Sequence, residues 1–164
     1  HSVLSTLLGG GMSSRLFQEV REKRGLAYSV HTFSGAYEDG GLFGVYAGTG
    51  PEKVGELVPV MCDELCKVAL DVTDEEVRRA RAQLKAGMLM ALESTMSRCE
   101  QLGQQMVIFD RPVPVTEMVE KIDAVDAAAV RRVALRLRAK APTVTALGPL
   151  DGLEDYGRIA ARLS

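Results

Sequence analysis

One stretch limits the fold more than any other. Residues 27–48 read AYSVHTFSGAY, then EDGG, then LFGVYAG. Two runs rich in β-branched and aromatic residues, joined by an acidic glycine turn, predict an antiparallel hairpin. The alternation puts Val30 and Thr32 on one face and His31 and Phe33 on the other. Nearly everything after it repeats at helical period. A hairpin followed by a run of helices is the α+β pattern: an antiparallel sheet covered on one face by helices.

The helices are marked by their ends. Thr49-Gly50-Pro51-Glu52 opens one, with proline in its first turn. Val54, Leu57, Val58, Met61, Leu65 and Val68 give it an apolar stripe, and Pro59 inside it predicts a kink. In Val72-Thr73-Asp74-Glu75-Glu76-Val77, Thr73 and Glu76 form a capping box and Val72 staples to Val77. That helix keeps its apolar face to about residue 93, and Ser94, Thr95 and Ser97 break it. Met96, Cys99, Leu102 and Met106 begin a further apolar face that ends at Arg111-Pro112. A short helix spans 115–123, and Asp126 caps another, stapled by Val125 and Val130, that runs to about Lys140. TVTAL (143–147) reads as a buried strand, and the tail 149–164 ends in a weak helix over 156–163.

Upstream, SVLSTLL (2–8) reads as the end of a helix stopped by Gly9, Gly10 and Gly11. A second helix over 12–24 buries Leu16, Phe17 and Val20, is capped by Ser13 or Ser14, and stops at a left-handed Gly25. Three strands are few for so many amphipathic helices, so at least one more is expected upstream of His1. His1 is not an initiator methionine, and the chain is expected to be an excerpt of a longer one.

The 164 residues suggest one domain, 1–164. A 46% apolar content supports a core, and a net charge of −2 gives no global attraction to nucleic acid or membranes. No apolar run has the length of a membrane span, and no cleavable leader is visible. The basic cluster 78–85 is balanced by Asp74, Glu75 and Glu76 and reads as a solvated helix face, and 131–140 lacks the interleaved aromatics that a nucleic-acid surface would stack bases on. Cys62, Cys66 and Cys99 make no disulfide framework and read as reduced thiols, which points to the cytoplasm, with periplasm and mitochondrial matrix left open. His1 and His31 are too few and too scattered for a zinc site. No nucleophile–base pair stands out.

Two features keep alternative readings. The triple glycine is either a tight connection or a backbone that a ligand can approach. Arg21 closes a helix and Tyr28 opens the following strand, so the turn at Gly25 can bring them to one edge. A guanidinium fork beside a phenol can hold a peptide carbonyl and stabilise an oxyanion. In the plainer reading, Arg21 serves the helix C-terminus and Tyr28 is a half-buried strand aromatic.

LLGGGMSSRLFQEVREKRGLAYSVHTF (7–33) resembles the pitrilysin/insulinase/mitochondrial-processing-peptidase family of zinc metallopeptidases, nearest its bacterial and processing-peptidase branch. The likeness continues through AYEDGGLFGVYAGT, the helix after VTDEEV, DRPVPVTEMVEKIDAV and TALGPL. It implies the C-terminal half of a metalloendopeptidase subunit, built from two related α+β halves and here missing its first strand and most of its first helix. The first half of such a subunit carries the zinc ligands and a glutamate base. The second carries an Arg and a Tyr seven residues apart, as Arg21 and Tyr28 are. The resemblance implies catalytic roles for Tyr28 and Arg21 and a substrate contact at Gly9, Gly10 and Gly11. It implies zinc in the complete enzyme but not on this chain, a peptide substrate, and a dimeric arrangement with the other half or a partner subunit. A non-catalytic core subunit that keeps the fold without the chemistry is the alternative.

Overall fold

The computed structural model describes residues 1–37 and 39–164. Helix α1 (Ser2–Gly9) is followed by a π-helix (Phe17–Lys23), strands β1 (Ser29–Ala36) and β2 (Gly41–Gly48), and a 3₁₀ turn (Pro51–Lys53). Then come α2 (Val54–Asp71), α3 (Asp74–Ala91), α4 (Thr95–Phe109), α5 (Val115–Asp123), α6 (Ala127–Arg138) and α7 (Tyr156–Leu163). The fold is α+β, with an antiparallel hairpin against helices.

The hairpin pairs Val30 with Ala47, Thr32 with Val45 and Ser34 with Phe43. Val30 is buried, and Phe43, Val45 and Ala47 pack against the core. Successive residues point to opposite faces, so His31, Phe33, Leu42 and Tyr46 form the outer face, where His31 and Tyr46 stack with ring centroids 5.0 Å apart. Glu38, in the predicted turn, lies outside the described residues.

Helix α1 bridges β1 and α3, while α2 packs against α6 and α7. Leu4, Leu8, Leu16, Val20, Val68, Val77 and Val130 are fully buried at the centre. Gly9 sets how close α1 lies to β1: a Cβ there would meet the Thr32 nitrogen at 2.5 Å and the His31 carbonyl carbon at 3.0 Å. Beside it the Thr32 hydroxyl donates to the Ser5 carbonyl at 2.7 Å. Gly10 approaches Thr6 in the same way, with 2.5 Å from its missing Cβ to the Thr6 Cα. Gly10 also accepts a bond from Gln83 Nε2 at 2.6 Å.

The local signals hold where they depend on neighbouring residues. Thr73 and Glu76 form the capping box, and Val72 and Val77 are both buried. Ser94 accepts from the Ser97 N–H at 3.3 Å and Asp126 from the Ala129 N–H at 2.6 Å. Helix α2 runs unbroken through Pro59.

Two expectations fail. Segment 143–147 is not a buried strand: it has no regular structure, and Val144 and Leu147 are exposed. Its three consecutive β-branched residues, Thr143 to Thr145, suit a strand, but among the described residues it joins no ladder. Neither Ser13 nor Ser14 caps the second helix; Ser14 instead donates to the Gly11 carbonyl at 2.6 Å, and regular helix begins only at Arg15. Helix α4 carries the apolar face its period predicts, and that face is open: Met96, Leu102 and Met106 are all exposed.

Candidate functional site

The site begins with a turn. Gly25 adopts φ +60°, which an L side chain resists, and ends the π-helix. Its N–H donates to the Arg21 carbonyl at 3.1 Å, and the Leu26 N–H reaches the Val20 carbonyl at 2.7 Å. Lys53 Nζ donates to the Gly25 carbonyl at 2.9 Å, and the Thr49 hydroxyl donates to the Leu26 carbonyl at 2.5 Å. The Tyr28 N–H then joins the edge of β2 by donating to the Gly48 carbonyl at 2.9 Å. Helix end and strand start are therefore tied at several backbone atoms.

The consequence is a close pair. The Arg21 Cζ lies 5.6 Å from the centre of the Tyr28 ring and 4.9 Å from that of Phe17. Both distances are within the range of attraction between a cation and a ring face. Tyr28 is 86% exposed, so it is not the half-buried strand aromatic of the plainer reading. It lines an open recess of about 620 Å³ together with Gly25, Leu26, Ala27, Ser29, Tyr46, Gly48, Thr49, Gly50 and Lys53.

The other cations of this segment are committed elsewhere. Arg15 bonds Glu76 through Nε and Asp71 through Nη1, each at 2.6 Å, and so clamps the start of the π-helix region to α3. Lys23 pairs with Glu19, and Arg24 lies 3.9 Å from Glu19 and 3.7 Å from Glu56. Arg21 has only Glu22, 4.0 Å away, among the described residues. Its side-chain donors make no hydrogen bond among the described residues, beside a phenol that faces solvent. That combination can bind a peptide carbonyl or carboxylate and donate to an oxyanion.

The glycines do not share this edge in the same way. Gly9 is buried against β1, Gly10 is exposed and Gly11 is half-buried. Among the described residues, no group of three or more His, Cys, Asp or Glu side chains is placed to hold a metal ion. The sequence reading missed Phe17 as a neighbour of Arg21. The four-residue spacing was visible, but the π-helical register was not.

The model for the Peptidase M16 inactive domain matches residues 2–84, which contain α1, the three glycines, Arg21, Tyr28 and the hairpin. The chain belongs to the peptidase M16 family. It is 44% identical over 90% of its length to a Streptomyces coelicolor protein named an uncharacterized zinc protease, and covers 32% of that protein. It is 37% identical over 94% of its length to the mouse mitochondrial-processing peptidase subunit beta, again covering 32% of it. The chain thus spans about a third of the length of these M16 relatives. Among solved structures, a chain of complex III2 from Candida albicans matches its fold with a TM-score of 0.88 over 99% of this chain and 41% of that one, at 20% identity. A conserved protein from Enterococcus faecalis matches with a TM-score of 0.71 at 25% identity, over 82% of this chain and 32% of that one.

Proposed function

We propose that this chain is the substrate-binding and transition-state-stabilising half of a zinc metalloendopeptidase that cleaves peptides or small unfolded proteins. A zinc-bearing half, in the same polypeptide or in a partner subunit of a dimer, completes it. One observation carries the reading: the only cation of the π-helix segment without a close carboxylate among the described residues stands beside an exposed phenol at the mouth of an open recess. Zinc and the base belong to the other half. Here Tyr28 donates to the oxyanion that develops on the scissile carbonyl, and Arg21 holds the substrate backbone and orients the phenol. Contact of the substrate with the glycine stretch is proposed for the open edges of Gly10 and Gly11, with Gly9 held inside by Thr32.

A second reading has its own support. The matching family model is described as an inactive domain, and the fold also occurs in complex III2. In that reading the chain is a non-catalytic core subunit.

Tyr28→Phe and Arg21→Ala, in the assembly with the zinc-bearing half, separate the two. Loss of one oxyanion donor should lower kcat on an unstructured fluorogenic peptide by roughly 10²–10³-fold. Unchanged turnover in both variants favours the core-subunit reading.

A further inference from the structure

We propose that Phe17 is a positioning residue for Arg21, holding the guanidinium in place through its ring face; this rests on the substrate-binding role of Arg21. Without a firm carboxylate partner, a long and flexible side chain should sample many rotamers. Two aromatic faces stand in for that partner. The Arg21 Cζ is 4.9 Å from the Phe17 ring centre and 5.6 Å from that of Tyr28.

The two rings are held differently. Phe17 is half-buried and packs against the hydrophobic core, so its ring is fixed by the fold. Tyr28 is free to meet a ligand. A ring face attracts the cation without using any of its N–H donors, whereas a carboxylate would take two of them. Phe17 therefore orders the guanidinium and leaves its fork open to a peptide. Phe17 and Arg21 are the first and fifth residues of the π-helix, a form that is rare and often found at functional sites.

A residue that merely fills the core would act regardless of Arg21, so a double-mutant cycle decides the matter. In the assembled peptidase, Phe17→Leu should lower kcat/KM for an unstructured peptide about two- to five-fold, with Phe17→Tyr restoring it. In an Arg21→Ala background, Phe17→Leu should cost nothing further. In NMR spectra of this chain, the Arg21 side-chain Nε–H signal should carry an upfield ring-current shift that Phe17→Leu removes and Phe17→Tyr keeps. Equal losses in both backgrounds, or no loss from Phe17→Leu while Arg21→Ala is impaired, would overturn the positioning role and leave that of Arg21 standing. Full activity of Arg21→Ala would remove both.

Discussion

Gly9→Ala tests how the hairpin is seated. In most helical positions this change stabilises, since alanine has the better helix propensity by about 1 kcal/mol. At Gly9 the added Cβ would lie 2.5 Å from the Thr32 nitrogen, 2.8 Å from its Cγ2 and 3.0 Å from the His31 carbonyl carbon. Comfortable contact begins at about 3.5 Å, so α1 and β1 must part by about 1 Å. Two of the three atoms are strand backbone, which no rotamer change can move aside. Parting also stretches the bond from Thr32 to the Ser5 carbonyl, now 2.7 Å. Overpacking of this kind costs about 1–3 kcal/mol, and the rigid neighbours place Gly9 in the upper part of that range. Net of propensity, about 2 kcal/mol should be lost, or about 4–8 °C in Tm for a chain of this size. Gly87 in α3 and Gly103 in α4 are the controls, because an added Cβ meets nothing within 4 Å at either. There the same substitution should gain roughly 0.5–1 kcal/mol. Urea melts followed by circular dichroism read all three. If Gly9→Ala proves as stable as the parent, the close seating of α1 on β1 is wrong.

Acid stability should depend on the clamp between Arg15 and α3. Burial pushes the Glu76 carboxyl up, but bonds from the Arg15 fork and from the Thr73 N–H and hydroxyl outweigh it and hold the group at about 2 against an ordinary 4.5. A carboxyl depressed in the folded state stabilises above its ordinary value and loses that contribution as pH falls through the folded one. Denaturant midpoints should therefore drop between about pH 4.5 and pH 2 more steeply in the parent than in Glu76→Gln, and parallel curves would show that the clamp carries no such linkage. The cysteines should alkylate in order of access, Cys99 first, then Cys66, whose thiol donates to the Arg162 carbonyl at 3.2 Å. Cys62 should come last, because burial pushes its thiol up to about 11; peptide mapping by mass spectrometry that finds it modified first would contradict its burial.

What was legible in the sequence is what adjacent residues decide. The capping box at Thr73 and Glu76, the left-handed Gly25 and the two faces of the hairpin each rest on short-range sterics or hydrogen bonding. What was not legible depends on distant partners. TVTAL has strand chemistry, yet strand formation needs a neighbouring edge. Met96, Leu102 and Met106 keep helical period, yet periodicity records only which side is apolar, not whether another element covers it. The triple glycine lay between these cases. Its composition allowed either a tight connection or an open backbone, and only the seating of β1 and Thr6 against Gly9 and Gly10 shows the close approach. The Arg21–Tyr28 pair was legible as a spacing, because Gly25 fixes a local reversal. Phe17 escaped because its ring gains meaning only from the place where Arg21 comes to rest.

Energetics then separate the two functional readings. Tyr28 buries little surface, since it is 86% exposed, and Arg21 has no close ion pair among the described residues. Surface changes away from caps, cores and networks usually shift stability by no more than about 0.5 kcal/mol. A core subunit that uses only the fold should therefore tolerate Tyr28→Phe and Arg21→Ala in every assay, melting and turnover alike. A peptidase half should keep its Tm in both variants and lose its rate. The same two proteins answer both questions, because the pair contributes little to packing: melting measured beside turnover shows whether a lost rate is a lost fold.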